Sequence, residues 1–262
     1  PYFSSHPYCP GGKNGEINTG SLNAQASAKN IIAVGASENQ RANTGLSVFD
    51  TTYSCTGTHW TPTGDEWTCG VYFGTPVLND QQADDPEGMW GHSNRGPTAD
   101  GRTKPDIVSP GSAIVSVKSA YKDGNFDLND YYSVKSGTSM ATPITAGTVA
   151  LLIEYLNNHG YDCNLANSPS SNNCPDSALI KGILSASAHD LEGQYFSGGD
   201  GENGAVEKSP NPHEGWGRVD LERAVGSGFT EGIDIATDDS HSFKLSVPDT
   251  GIDSLRVVLS WN

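Results

Sequence analysis

Residues 137–153 constrain the fold of this chain more than any other stretch, and they read G-T-S-M-A-T-P-I-T-A-G-T-V-A-L-L-I. The pattern predicts a tight turn at Gly137 that is followed at once by a helix. We expect Pro143 within the first helical turn, where its missing N–H removes no intrahelical hydrogen bond. Because small and apolar residues fill the rest of the run, we expect a helix that is apolar on nearly all sides and therefore buried.

Ser139 lies at the amino end of this predicted helix, beside backbone N–H groups without intrahelical partners and at the positive end of the helix dipole. Such a position stabilises an alkoxide or a developing oxyanion, which predicts that Ser139 is a nucleophile. Two alternatives stay open. A serine at a helix start is commonly an N-cap. The lipase elbow G-x-S-x-G matches only in part, because Ala141 occupies the position of its second glycine.

Shorter apolar patterns predict the other elements. The chain should contain a buried parallel strand at 31–36, further strands at 106–109, 113–118 and 132–135, and helices at 175–188 and 220–224, while the central helix ends near Asn157. Residues 39–88 show little periodicity and read as a long insertion. From about residue 229 the sequence pattern changes. Polar and apolar residues alternate at 242–247, and residues 254–261 are rich in Val and Leu, which predicts strands without intervening helices.

The stretch Gly137–Pro143 resembles the G-T-S-M-A-x-P serine motif of the subtilisin-like serine proteases (the subtilases, peptidase S8 family). The resemblance extends along most of the chain, through A-K-N-I-I-A-V-G-A at 28–36, S-N-R-G-P at 93–97, K-P-D-I-V-S-P-G at 104–111 and G-W-G-R-V-D at 215–220. Ser109 stands where the family usually has alanine.

This resemblance implies an α/β fold with a subtilisin-like parallel sheet flanked by helices. Residues 1–228 would be the C-terminal two-thirds of the catalytic domain, with the insertion at about 39–88, so that the sheet is incomplete because the N-terminal part of the domain is absent. Residues 229–262 would be the first strands of the antiparallel β-sandwich (jelly-roll) that some subtilases carry. Such a hairpin is not stable alone.

In the subtilases the catalytic residues follow the order Asp, His, Ser, and only the serine is matched here. His6, His59 and His92 precede Ser139 but lack the glycine and small-residue surroundings of the family's catalytic histidine. The family's aspartate motif D-T-G-I-D occurs at 249–253, after the serine, where a preceding proline predicts a turn. We therefore expect an upstream segment or chain to supply the catalytic Asp and His.

The oxyanion asparagine of the family is also expected from upstream. Asn14 lies at a compatible distance before Val34, but the residues before Asn14 do not form the apolar strand that this asparagine ends in the family. The pair Gln25–Ala26 replaces the Pro-Gly that relatives often have in the wall of the substrate pocket. The substrate preference of relatives is therefore not transferred to this chain.

The charge of the chain excludes some partners. A net charge of −16, from 31 acidic and 15 basic residues, argues against nucleic acid and anionic membranes, since both require basic patches. No apolar run approaches the roughly 18 residues of a membrane span. The excess of acidic residues is compatible with structural calcium, whereas the expected catalysis requires no cofactor.

The five cysteines indicate the compartment. None forms a C-x-x-C pair, so a zinc site is not expected. Cys55 and Cys69 bracket one loop and Cys163 and Cys174 another, which predicts two local disulfides and leaves Cys9 over. Disulfides form in oxidising environments, so we expect an extracellular or cell-surface location.

Together these observations predict a piece of a secreted serine endopeptidase. With the upstream segment, Ser139 would hydrolyse peptide bonds of a peptide or protein substrate through an acyl-enzyme. The alternative is a catalytically inert, subtilase-derived binding or structural module. Esterase or acyltransferase activity through the same serine would share the chemistry and differ in substrate and acceptor.

Overall fold

The computed structural model of the chain describes residues 17, 19–40, 71–73, 78–81, 83, 85–119, 129–163, 174–193, 208–229, 237–244 and 255–261. Within these ranges it forms strands β1 Val34–Ser37, β2 Val71–Phe73, β3 Leu78–Gln81, β4 Ile107–Pro110, β5 Ile114–Val117 and β6 Tyr132–Lys135, and helices α1 Thr138–Asn157, α2 Ser177–Ser187 and α3 Leu221–Gly226. The architecture is mixed α/β.

Strands β1 and β4 form a parallel pair with Val34 opposite Ile107. The predicted buried parallel strand is thus confirmed, although it begins at Val34 and not at residue 31. At Ala33 the backbone N–H donates to the side-chain Oδ2 of Asp106 (2.7 Å). A carboxylate thus takes the place of a backbone carbonyl as the acceptor, and the regular pairing between strands begins only at Val34. Helix α1 packs against both strands.

The carboxylate of Asp106 also holds two ammonium groups at the start of β4. Its Oδ2 lies 2.5 Å from the Nζ of Lys104, whose side chain is 2% exposed, and its Oδ1 lies 2.8 Å from the Nζ of Lys181. Burial lowers the pKa of Lys104, and the hydrogen bond and charge of Asp106 oppose this shift. The K-P-D part of the motif at 104–111 is therefore a buried ion network that fixes the entry into β4.

One apolar cluster joins β4 to the three helices. Its buried members are Ile107, Leu152, Leu156, Leu179, Ile180, Ile183, Leu184, Ala188 and Ala224. The predicted helix at 175–188 is confirmed as α2, although it begins at Ser177, because the side chain of Asp176 caps it by accepting the N–H of Leu179 (2.6 Å). Asp220 caps α3 in the same way through the N–H of Arg223 (3.0 Å).

Pro143 lies deeper in α1 than the sequence predicts. Because the helix begins at Thr138, Pro143 is its sixth residue and lies in the second turn. The expectation that it belongs to the first turn is wrong. The cost is confined to one hydrogen bond near the helix start, the one that an N–H at this position would donate to the carbonyl of Ser139.

The prediction that α1 is buried on nearly all sides is also wrong for the described structure. Its fully buried residues are Ala141, Thr145, Leu152 and Leu156, which recur at helical spacing and form one face. Leu151 points away from that face and is 53% exposed. Helix α1 is long and apolar enough to cross a bilayer. The core helices of soluble proteins also meet this criterion of length and composition. The absence of a membrane span stays a prediction.

Two antiparallel hairpins complete the described sheets. In β5–β6, Val115 lies opposite Val134, which confirms the strands predicted at 113–118 and 132–135. The second hairpin, β2–β3, lies within the insertion, where no strand was expected. Strands of three and four residues are too short to produce a recognisable alternation in the sequence.

The disulfide between Cys163 and Cys174 is formed, with an S–S distance of 2.02 Å, as predicted. The predicted pair Cys55–Cys69 and the remaining Cys9 lie outside the described residues.

The strands predicted after residue 229 are not observed in the described segments 237–244 and 255–261. In the second segment the guanidinium of Arg256 donates hydrogen bonds to the backbone carbonyls of Ala188 (2.9 Å) and Trp216 (3.2 Å). Residues 255, 257, 259 and 261 are Leu, Val, Leu and Trp, and they are between 59% and 79% exposed. Two short segments do not provide enough sheet for strand formation. The domain boundary near residue 228 stays a prediction.

Candidate active site

Ser139 is the second residue of α1, because the N-cap of this helix is Gly137. Gly137 has φ 149° and ψ 160°, a backbone conformation that essentially only glycine adopts. As a glycine it offers no side chain to cap the helix. The interpretation of Ser139 as an N-cap is therefore wrong.

The hydroxyl of Ser139 lies at the surface, and no described residue hydrogen-bonds it. The carbonyl of Gly137 accepts the N–H groups of Met140 (2.9 Å) and Ala141 (3.3 Å). The N–H of Ser139 precedes these two and donates to no described residue. A hydroxyl and a backbone donor thus lie together at the positive end of a 20-residue helix.

The turn before Ser139 is attached to the loop that follows β4. The N–H of Gly137 donates to the carbonyl of Gly111 (2.7 Å), and the N–H of Ala113 donates to the Oγ of Ser136 (2.8 Å). The contact at Gly111 is so close that a Cβ on this residue would lie 2.5 Å from the Cβ of Ala36. The loop at 111–113 therefore lies between the end of β1 and the serine turn.

Ser109, the departure from the family's alanine, is fully buried in β4. Its hydroxyl lies 2.6 Å from the hydroxyl of Thr145, which belongs to the buried face of α1. This pair links the strand directly to the helix that carries Ser139. The sequence marks Ser109 as unusual but does not reveal its partner, which lies 36 residues away.

Among the described residues, none of the others considered from the sequence hydrogen-bonds Ser139. His92 packs edge-on against Trp90, with ring centroids 5.1 Å apart. Residues 6, 14, 59 and 249–253 lie outside the described ranges. The pair Gln25–Ala26 belongs to a surface turn in which the N–H of Ala26 donates to the side chain of Asn23 (2.7 Å).

A histidine that the sequence did not single out lies in the core. The side chains of His213 and Arg95 are both buried, and the Nε of Arg95 donates to the Nδ1 of His213 (3.1 Å). Burial, together with the charge of Arg95, lowers the pKa of His213 to about 3. The ring is therefore neutral at ordinary pH and is engaged in holding Arg95 of the S-N-R-G-P motif.

The described residues at Ser139 thus supply a hydroxyl and one backbone N–H donor, but no side chain that hydrogen-bonds the hydroxyl as a general base would. A serine in this setting becomes a strong nucleophile only when a base takes its proton. Among the described residues, no group of three or more His, Cys, Asp or Glu side chains is placed to hold a metal ion. The prediction of structural calcium is not tested.

Fold and site together define a mixed α/β protein in which parallel strands pack against a helix whose amino end carries the G-T-S-M-A-T-P motif. The chain belongs to the subtilase family. The model of this family (Peptidase S8) matches residues 11–217 and so covers most of the chain.

Curated relatives agree with this assignment. The chain is 30% identical over 245 residues to the serine protease/ABC transporter B family protein tagB of Dictyostelium discoideum, in a match that covers 76% of this chain and 12% of tagB. It is 41% identical over 81 residues to the serine protease AprX of Bacillus subtilis (strain 168), covering 29% of this chain and 18% of AprX. The chain thus spans a small part of the length of these relatives.

Among solved structures, the CspB protease of Clostridium perfringens resembles the chain with a TM-score of 0.43 and 22% identity. The match covers 80% of this chain and 29% of the CspB chain. A likeness of this size adds nothing to the family assignment, which rests on the sequence match.

Proposed function

We propose that this chain carries the nucleophile of a serine endopeptidase, and that Ser139 is that nucleophile. The observation that carries the proposal is the placement of Ser139 as the second residue of α1, with an exposed hydroxyl and an N–H that no described residue accepts. Ser139 would attack a peptide carbonyl to form an acyl-enzyme, and its own N–H would donate to the oxyanion of the tetrahedral intermediate.

The catalytic Asp and His and the second oxyanion donor, an asparagine, would come from an upstream segment or a partner chain. The exposed side of α1 supports this part of the proposal, because Leu151 and the small residues near it present an apolar surface that the described structure leaves uncovered. Burying this side would remove apolar area from water at about 25 cal/mol per Å². A segment that covers it would pack against the helix that carries Ser139.

The substrate class is a peptide or protein, because tagB and AprX are both named serine proteases and the family is a peptidase family. The proposed location is extracellular or at the cell surface, which the disulfide between Cys163 and Cys174 supports. The proposed chemistry requires no cofactor, and structural calcium would serve stability only. We also propose that residues 229–262 open a β-sandwich domain that requires further strands.

The second candidate function is an inert binding or structural module derived from a subtilase. The observation that favours it is the absence, within the described residues, of any group that hydrogen-bonds the Ser139 hydroxyl. A serine without a base retains only a residual catalytic rate, roughly 10³–10⁴ over water, and that rate depends on an intact oxyanion hole and substrate binding.

An activity-based probe separates the two functions. The natural, undissociated protein is treated with a fluorophosphonate, and the labelled peptide is identified by mass spectrometry. We expect the label on Ser139. Folded, inhibitor-free protein that takes no label on Ser139 would refute the peptidase and favour the inert module.

A further inference from the structure

The segment that leads into Ser139 is fixed by two hydrogen bonds of opposite direction. Gly137 donates its N–H to the carbonyl of Gly111 at 2.7 Å, while the Oγ of Ser136 accepts the N–H of Ala113 at 2.8 Å. The first bond joins two backbone groups, so it does not depend on the side chain of Ser136. The second depends on a side chain, and it lies three residues before Ser139.

The loop on the other side of these bonds is itself rigid. The N–H of Gly111 donates to the carbonyl of Ser37 at the end of β1 (2.9 Å). A Cβ on Gly111 would lie 2.5 Å from the Cβ of Ala36 and 2.9 Å from the carbonyl oxygen of Gly137, so the two segments are in direct contact. Ala113 is fully buried and has φ 48°, a left-handed conformation that alanine keeps only where its surroundings enforce it.

Among the described residues, no side chain caps the start of helix α1. A serine, threonine, aspartate or asparagine at the N-cap would normally fix the first turn by accepting an N–H from it. Here the N-cap is Gly137, and α1 has no side-chain cap. The hydroxyl of Ser136, one residue earlier, is the side-chain acceptor that ties this turn to the loop at 111–113.

We propose that Ser136 is a positioning residue for the nucleophile. Its hydroxyl holds the turn so that the Oγ and the N–H of Ser139 keep their relative placement at the start of α1. The inference rests on the proposed function of Ser139. Small displacements of a nucleophile reduce the rate of the chemical step more than they reduce substrate binding, so loss of the Ser136 hydroxyl should lower kcat and leave KM nearly unchanged.

The first measurement tests the bond itself and requires no activity. Amide hydrogen exchange is followed in the full, undissociated protein and in its variants Ser136→Ala, Ser136→Thr and Ser133→Ala. Ser133 provides the control, since it is a serine of β6, three residues before Ser136, and no described residue hydrogen-bonds its hydroxyl. We expect exchange at the Ala113 amide to quicken about fivefold in S136A, as loss of one hydrogen bond predicts, and to stay near wild type in S136T and S133A.

The second measurement tests positioning. Peptide hydrolysis and the second-order rate of fluorophosphonate labelling of Ser139 are compared for the same variants at a temperature where all are folded. We expect S136A to lower kcat and the labelling rate by about tenfold or more, with KM within about twofold and rescue by S136T.

The outcomes separate the two proposals. If wild type is labelled on Ser139 and S136A is labelled at the same rate, the positioning role is refuted while the nucleophile stands. If S133A and S136A lose the same fraction of kcat and of the labelling rate, the effect is a general structural one and the positioning role of Ser136 is refuted. A folded wild type that takes no label refutes the proposed function and the positioning role together. Unchanged exchange at Ala113 in S136A refutes the hydrogen bond and with it the positioning role, while the nucleophile stands.

Discussion

The buried pair of Arg95 and His213 predicts a specific loss of stability in acid. The Nδ1 of His213 accepts a hydrogen bond from the Nε of Arg95 (3.1 Å), and both side chains are buried. Protonation of His213 would remove the acceptor and place a second positive charge beside the guanidinium. For this reason burial and the charge of Arg95 lower the pKa of His213 to about 3.

The sign and size of the effect follow from linkage. The pKa of this histidine is about 3 in the folded protein and 6.5 as an unperturbed group, so the unfolded chain binds the proton more readily between these values. Stability is therefore unaffected above pH 6.5 and falls as the pH drops through this window. At pH 5 the loss relative to pH 7.5 is about 2 kcal/mol, on the scale of about 1.4 kcal/mol per pKa unit.

The variant His213→Gln isolates this contribution. Glutamine has no charge to gain, and its Oε1 provides an acceptor for Arg95. We expect the free energy of unfolding of the wild type to fall by about 2 kcal/mol more than that of the variant between pH 7.5 and pH 5. Urea unfolding at both values measures the difference, and acidic groups elsewhere cancel because both proteins contain them.

A control is provided by the range from pH 7.5 to pH 9, where the two proteins should differ by a constant amount. If wild type and variant lose the same stability between pH 7.5 and pH 5, the buried neutral histidine is refuted. The same conclusion would follow from an NMR titration in which His213 gains its proton near pH 6.5.

Three further predictions concern other parts of the molecule. Asp106→Asn removes the carboxylate that pairs with Lys104 and should destabilise the fold by about 3–5 kcal/mol, as chemical denaturation would show; an effect below about 1 kcal/mol would contradict a buried pair. Ser139→Ala should abolish fluorophosphonate labelling and leave the melting temperature within about 1 °C, because the hydroxyl bonds no described residue; retained label would locate the nucleophile elsewhere. Replacing Cys163 and Cys174 together by serine should cost about 3 kcal/mol through the loop of 11 residues that they close; unchanged thermal unfolding would show that the disulfide adds no stability.

Much of the fold was predictable because its signals are local. The turn at Gly137, the strand at 132–135 and the helix end near Asn157 each depend on residues only a few positions apart. The same holds for the placement of Ser139 at the amino end of α1. Among the predictions that failed is the burial of α1, because apolar composition does not tell how many sides of a helix find a partner.

The sequence alone determined the family motif, the order of the helices and most strands, and the disulfide between Cys163 and Cys174. Tertiary structure decided the contacts between distant segments: the ion pair of Asp106 with Lys181, the pairing of Arg95 with His213 across 118 residues, and the bond between Ser136 and Ala113 across 23 residues. The physical reason is that local conformation follows from sterics and hydrogen bonding within a few residues. Burial, charge pairing and side-chain acceptors depend instead on which surfaces meet when the chain folds.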